Sequence, residues 1–198
     1  MLKKMFYATA ICVGFLFSIS QNCIAQQKTK DEIKAERDVL KSELKSENVK
    51  ERQKKIEKLE SESPKTSGIE SIDKLAESSK KILFDTKSIN LQIPELYKRT
   101  IGETIDGVTD VTVKKPTVEE LAALALTLAS QIKATADAVS SISKVSEDAK
   151  SASPLSAGKA MKSLNYSKDA LALAAPELQM SLKVINNLIA TLKSAENN

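Results

Sequence analysis

The sequence predicts an all-α protein: an elongated antiparallel bundle of three to four helices, closed by a long C-terminal helical hairpin. Three observations carry this. Apolar residues recur at alternating steps of three and four over most of the chain. The composition is rich in Ala, Leu, Lys, Glu and Ser, with only 4% aromatic residues, the profile of a chain built from helices. Five prolines, at 64, 94, 116, 154 and 176, stand almost wherever the helical pattern breaks.

Residues 1–25 read as a secretory signal peptide. Lys3 and Lys4 form a positive start, Met5 to Ile19 is an apolar run, and Cys23-Ile24-Ala25 offers small residues at a cleavage site before Gln26. The run is short of the ~20 apolar residues that a membrane span needs. Ser20-Gln21-Asn22 does not follow the usual lipobox pattern ahead of Cys23, so lipid attachment there is not expected. Both cysteines, Cys12 and Cys23, lie in this segment, so cleavage would leave a chain with no disulfide.

Residues 26–63 read as a charged, coiled-coil-like helix. Gln27 to Ser63 holds 11 basic and 10 acidic residues, with a thin apolar stripe that nearly vanishes between Leu44 and Ile56. The expectation is a solvated, partly detached arm with i,i+4 pairs such as Lys34/Asp38 and Glu51/Lys55. Residues 64–116 follow a break at Ser63-Pro64 and carry a second amphipathic helix over roughly 67–90, with Leu75, Ile82 and Ile89 seven apart. Pro94 is expected to limit it, leaving a short helical turn to Thr100. Ile101 to Pro116 is read as a connecting loop, with Asp106-Gly107 as a turn signal and a small hairpin, Thr104-Ile105 against Val108-Thr109, as the alternative.

Residues 117–198 read as the hairpin around which the chain is organised. Thr117-Val118-Glu119-Glu120 after Pro116 has the form of a capping box. The first seam runs Leu121, Ala125, Leu128, Ile132, Thr135, Val139, Ile142, Ser146, Ala149. Ser153-Pro154 opens the second helix, whose seam runs Ala157, Met161, Leu164, Lys168, Leu171, Ala175, Leu178, Leu182, Ile185, Ile189, Leu192. Lys168 breaks this row and is expected to snorkel or pair with Asp137. Pro176 is expected to kink or interrupt the helix. Leu124, Leu126, Leu173 and Leu188 lie beside the seams, and the chain's own earlier helices are the expected cover.

The residue inventory bounds the chemistry. The chain has no histidine, which removes the usual general base at neutral pH and any Ser-His nucleophile. Without cysteine after residue 25, the common zinc sites are also missing. No phosphate-binding Gly-rich loop is present. Removing Lys3 and Lys4 leaves 28 basic against 26 acidic residues, and Phe84, Tyr97 and Tyr166 are the only later aromatics. Neither the basic face nor the stacking platform of a nucleic-acid binder is there. No catalytic, cofactor or metal residues are assigned.

The expected function is therefore that of an exported, non-enzymatic helical protein of the bacterial envelope, an interaction scaffold or holdase-like module that meets a protein partner or a second copy through its helices. The alternative is a secreted membrane-active protein, lipid-binding or pore-forming, whose Leu121 to Leu128 stretch is apolar nearly all round.

Overall fold

The computed structural model describes residues 28–109, 112 and 114–196, so the predicted signal segment lies outside the described residues. Five helices follow in order: α1 (Lys30–Leu44), α2 (Glu47–Ser61), α3 (Glu70–Ile101), α4 (Val118–Lys150) and α5 (Pro154–Glu196). They make up 83% of the described residues, pack together as an all-α bundle, and leave no strand among those residues.

The charged segment is two helices, and it is docked. Ile33 and Leu40 are buried on α1, Val49 and Ile56 on α2, each pair seven apart. Leu40 and Val49 are nine apart. At ~100° per residue a continuous helix would put Val49 on the face opposite Leu40. The break at Lys45-Ser46 corrects the phase, and the Ser46 hydroxyl accepts from the Val49 N–H at 3.4 Å to start α2. The start of α1 is a complete capping box: Thr29 Oγ1 accepts from the Glu32 N–H, and Glu32 accepts from the Thr29 N–H at 2.8 Å. That bond from the Thr29 backbone, chief among several contacts, holds the Glu32 carboxyl below its ordinary range.

α3 runs for 32 residues without stopping at Pro94. Its buried rows, Ile72/Ser79/Thr86/Ile93/Thr100 and Leu75/Ile82/Ile89/Leu96, keep one phase across the proline, so packing holds the helix together where the local signal would end it. Asp73 secures its start, accepting from the Ser67 N–H and Oγ, both at 2.8 Å, and from the Gly68 N–H at 3.1 Å. Burial pushes the Asp73 carboxyl up, but these donors outweigh it and hold the group below its ordinary value. Gly102, at φ 82°, ends α3 in the left-handed conformation.

The 103–109 segment turns back on itself. Glu103 faces Thr109 in a single antiparallel bridge, and Thr104 N–H donates to Val108 O at 2.8 Å. The turn at Asp106-Gly107 is thus present, but Glu103 rather than Thr104 faces Thr109, and one bridge takes the place of the small hairpin. At α4 the capping box is half made: Thr117 Oγ1 accepts from the Glu120 N–H at 3.1 Å. The Glu120 carboxylate pairs instead with Arg99, at 3.0 and 3.4 Å.

α5, 43 residues long and therefore ~65 Å, is the axis. It packs against all four other helices, whereas α4 touches only α3 and α5. Pro176 does not interrupt it. Buried residues cover most of its circumference in rows of seven: Leu164/Leu171/Leu178/Ile185/Leu192, Ala160/Ser167/Ala174/Ser181/Leu188 and Ser163/Ala170/Glu177/Val184. The small residues in these rows let neighbouring backbones approach. Ser71 on α3 donates to Asp148 near the end of α4, and Arg99 reaches Glu120 at its start, so α3 and α4 run antiparallel.

Candidate interaction surfaces

The predicted seam residues divide into three groups. Leu121, Leu128, Leu164, Leu171, Leu178 and Ile185 are buried, and Ile132, Ile142, Leu182 and Ile189 are partly buried against the same core. Val139 and Met161, each 44% exposed, are not on the seam. For α4 the reason is register. Leu121, Leu128, Thr135, Ile142 and Ala149 are joined toward the helix end by Ala138 and Val145, so the companion row is Leu124/Gln131/Ala138/Val145, one residue short of the predicted one. α3 lies on that flank, and Val139 on the other meets solvent. Lys168 also points outward on the described surface and breaks no buried row; Asp137 pairs with Lys133 in its own helix at 2.7 Å.

Of the four flanking leucines, Leu188 is buried and Leu124 and Leu173 are partly buried under the chain's own helices. Leu126 is 74% exposed. It lies on an open groove of about 560 Å³ between α3 and α4, where Ile82 and Asp85 face Thr127, Gln131 and Ala134. Gln131 Oε1 is buried there without a hydrogen-bond partner. The α4 residues that line it, Thr127, Ser130, Gln131 and Ala134, are small or polar.

The second surface is the seat of α1 and α2. Its centre is Glu177, 3% exposed. Arg52 Nε of α2 donates to Glu177 Oε1 at 2.7 Å, Asn90 Nδ2 of α3 donates to Oε2 at 2.9 Å, and Ser181 Oγ donates to Asn90 Oδ1 at 3.2 Å. One carboxylate thereby joins three helices, with both oxygens bonded. Higher on α5, Asn187 Nδ2 donates to Ile33 O at 3.0 Å and to Glu36 Oε2 at 3.1 Å. Burial pushes the Glu36 carboxyl up, but the donors Lys28 and Asn187 outweigh it and hold the group below its ordinary range. Lys87 pairs with Glu60, and Lys41 with Glu103 at 3.0 Å. That last bond lifts the Lys41 ammonium above its ordinary range despite some burial.

The seat is polar for its size. Four side chains of the arm are buried apolar anchors, each contributing ~1.5–3 kcal/mol. Against them, Tyr166 Oη and Asn187 Oδ1 are buried with no hydrogen-bond partner, at ~1–3 kcal/mol apiece. Burial, with Glu62 and Glu60 nearby, also raises the Tyr166 hydroxyl above its ordinary range.

Sequence reasoning did not single out Glu177, Asn90, Asn187 or Arg52. A signal existed: Glu177 interrupts the row Ala170/Val184 seven residues from each, and a charge in an apolar row calls for a buried partner. Among the described residues no cluster of His, Cys, Asp and Glu could hold a metal, and no helix is long and apolar enough to cross a membrane. Compared with known proteins, the chain matches no family model, and no curated protein or solved structure is significantly similar to it.

Proposed function

We propose that this chain is an exported, non-enzymatic interaction module of the bacterial envelope, a scaffold or holdase that works through helix-on-helix contacts. The α3–α4 groove carries the reading. It sets an exposed leucine, Leu126, beside small side chains in an open groove, which suits an apolar side chain of an incoming segment. The residue inventory supports it, since a chain without histidine has few means of acid–base chemistry at neutral pH.

The test uses a client protein that aggregates on warming. The purified chain from Gln26 onward is expected to suppress its light scattering, and Leu126→Glu to lose most of that effect while keeping its helical circular dichroism. Suppression that Leu126→Glu leaves intact would rule out the groove. Export is tested separately: envelope fractions of the producing cell should contain a chain whose mass begins at Gln26.

A further inference from the structure

We propose that the face of α5 and α3 beneath α1 and α2 is an exchangeable docking surface, and that its second occupant is the α1–α2 arm of another copy of this chain. The proposal concerns a different surface from the α3–α4 groove, so its failure would leave the preceding reading untouched.

Three observations lead to it. First, the arm is separable. α1 and α2 pack on α5 and α3 and do not touch α4, and of their four buried anchors Leu40 alone joins the main core cluster. Second, beside four buried apolar anchors the seat holds the arm by specific polar bonds: Arg52 to Glu177, Lys87 to Glu60, Asn187 to Ile33 O. The two unpartnered atoms under the arm, Tyr166 Oη and Asn187 Oδ1, regain water when it lifts. Third, the link from arm to bundle is exposed over residues 62–66, where Ser163 Oγ to Lys65 O and Lys80 Nζ to Ser63 Oγ are its bonds to the bundle, before buried Ser67 fixes the entry to α3. Glu62, Ser63, Lys65 and Thr66 are exposed around Pro64, and Gly68 sits at φ 81° with open space around it. The five residues 62–66 can reach ~16–18 Å when extended.

These features select the occupant. The seat pairs with the arm at Arg52 and Glu60 through Glu177 and Lys87, and every other copy carries that same arm. An arm that lifts from its seat and opens the link meets an identical seat on a neighbour, where it makes the same bonds; this is the route by which a terminal element is swapped between protomers. Proline in the link favours the extended form over the folded-back one.

The experiment mixes unlabelled and uniformly ¹⁵N-labelled full chain in equal amounts, concentrates and warms the mixture, and returns it to dilute buffer. A zero-length carbodiimide then couples Lys to Glu at existing ion pairs, and mass spectrometry reads the Glu60–Lys87 peptide. Exchange predicts that up to half of these peptides carry one labelled and one unlabelled partner, while the within-helix pair Lys133–Asp137 stays unmixed. A flexible ten-residue insertion at Thr66 should lower the mixed fraction severalfold, because the arm then closes easily on its own seat. Only same-isotope Glu60–Lys87 pairs, or no such pair at all, would overturn the proposal.

Discussion

Glu177 shows how one residue can join three helices. A carboxylate this buried is tolerated because Arg52 and Asn90 occupy both of its oxygens. Breaking a buried pair by removing one partner costs ~3–5 kcal/mol, whereas replacing both by apolar groups is often neutral. Arg52 is 26% exposed, so water recovers part of that cost. We expect Arg52→Ala to destabilise the chain by ~2–3 kcal/mol in urea unfolding, and the double change Arg52→Met with Glu177→Met to cost less than the single one. A double variant weaker than Arg52→Ala would mean that the bond to Asn90, and not the ion pair, carries the junction. Nothing in local propensity identifies Glu177; its partners come from residues 52 and 90, and only the folded chain brings them together.

At the scale of the element, the helices were legible from periodicity and their boundaries less so. The phase of the apolar rows proved a better guide than the residues that punctuate them. Pro94 is expected to limit its helix and Pro176 to kink or interrupt its own, yet neither ends a helix, because the seven-residue rows run through both without a shift. At Leu40 to Val49, where no proline or glycine stands, the phase jumps by half a turn and the helix does break. The register of α4 was not legible, since Ala125/Ile132/Val139 and Leu124/Gln131/Ala138 are both acceptable companion rows, and only the position of α3 selects between them. Pro94 therefore sits in α3 against its own preference: it supplies no N–H to Asn90 O, four residues back. Its side chain is exposed, so its removal leaves no cavity. Pro94→Ala is expected to stabilise the protein by ~1–3 kcal/mol, seen as a higher thermal midpoint; a lower one would show that α3 needs a proline bend to follow α5.

For the whole molecule, the fold class was legible and the layout only partly so. The sequence puts the core in the hairpin of α4 and α5, with the charged segment partly detached. α4 and α5 do pack closely together, α3 packs on α5 to a similar extent, and the charged segment is seated on α5 as well, so α5 is the axis. The reason is α5's circumference: its rows of Ala and Ser look like weak seam positions in sequence, yet they are where other helices come closest. An axis ~65 Å long also sets the dimensions of the particle. A compact globule of this length would have a radius of gyration of ~16 Å; a rod of that length gives about 20 Å. Small-angle scattering of the chain from Gln26 onward should return the larger figure with the mass of one chain, and a value near 16 Å would contradict the extended arrangement.

The buried hydroxyls of α3 have a consequence for alignment. Ser79, Thr86 and Thr100 each donate to the carbonyl four residues back in their own helix, at 2.7 Å. They are satisfied without α5 and so say nothing about where α5 should sit. The rows on both helices repeat every seven residues, like two combs of equal pitch. Sliding one along the other by a full tooth, ~10 Å, would seat the apolar teeth again. The bonds from Asn90 to Glu177 and from Ser181 to Asn90 act as the index mark on this scale, since each occurs once. The least apolar spot between these helices is thus the one that tells the chain which of several equivalent alignments is its own.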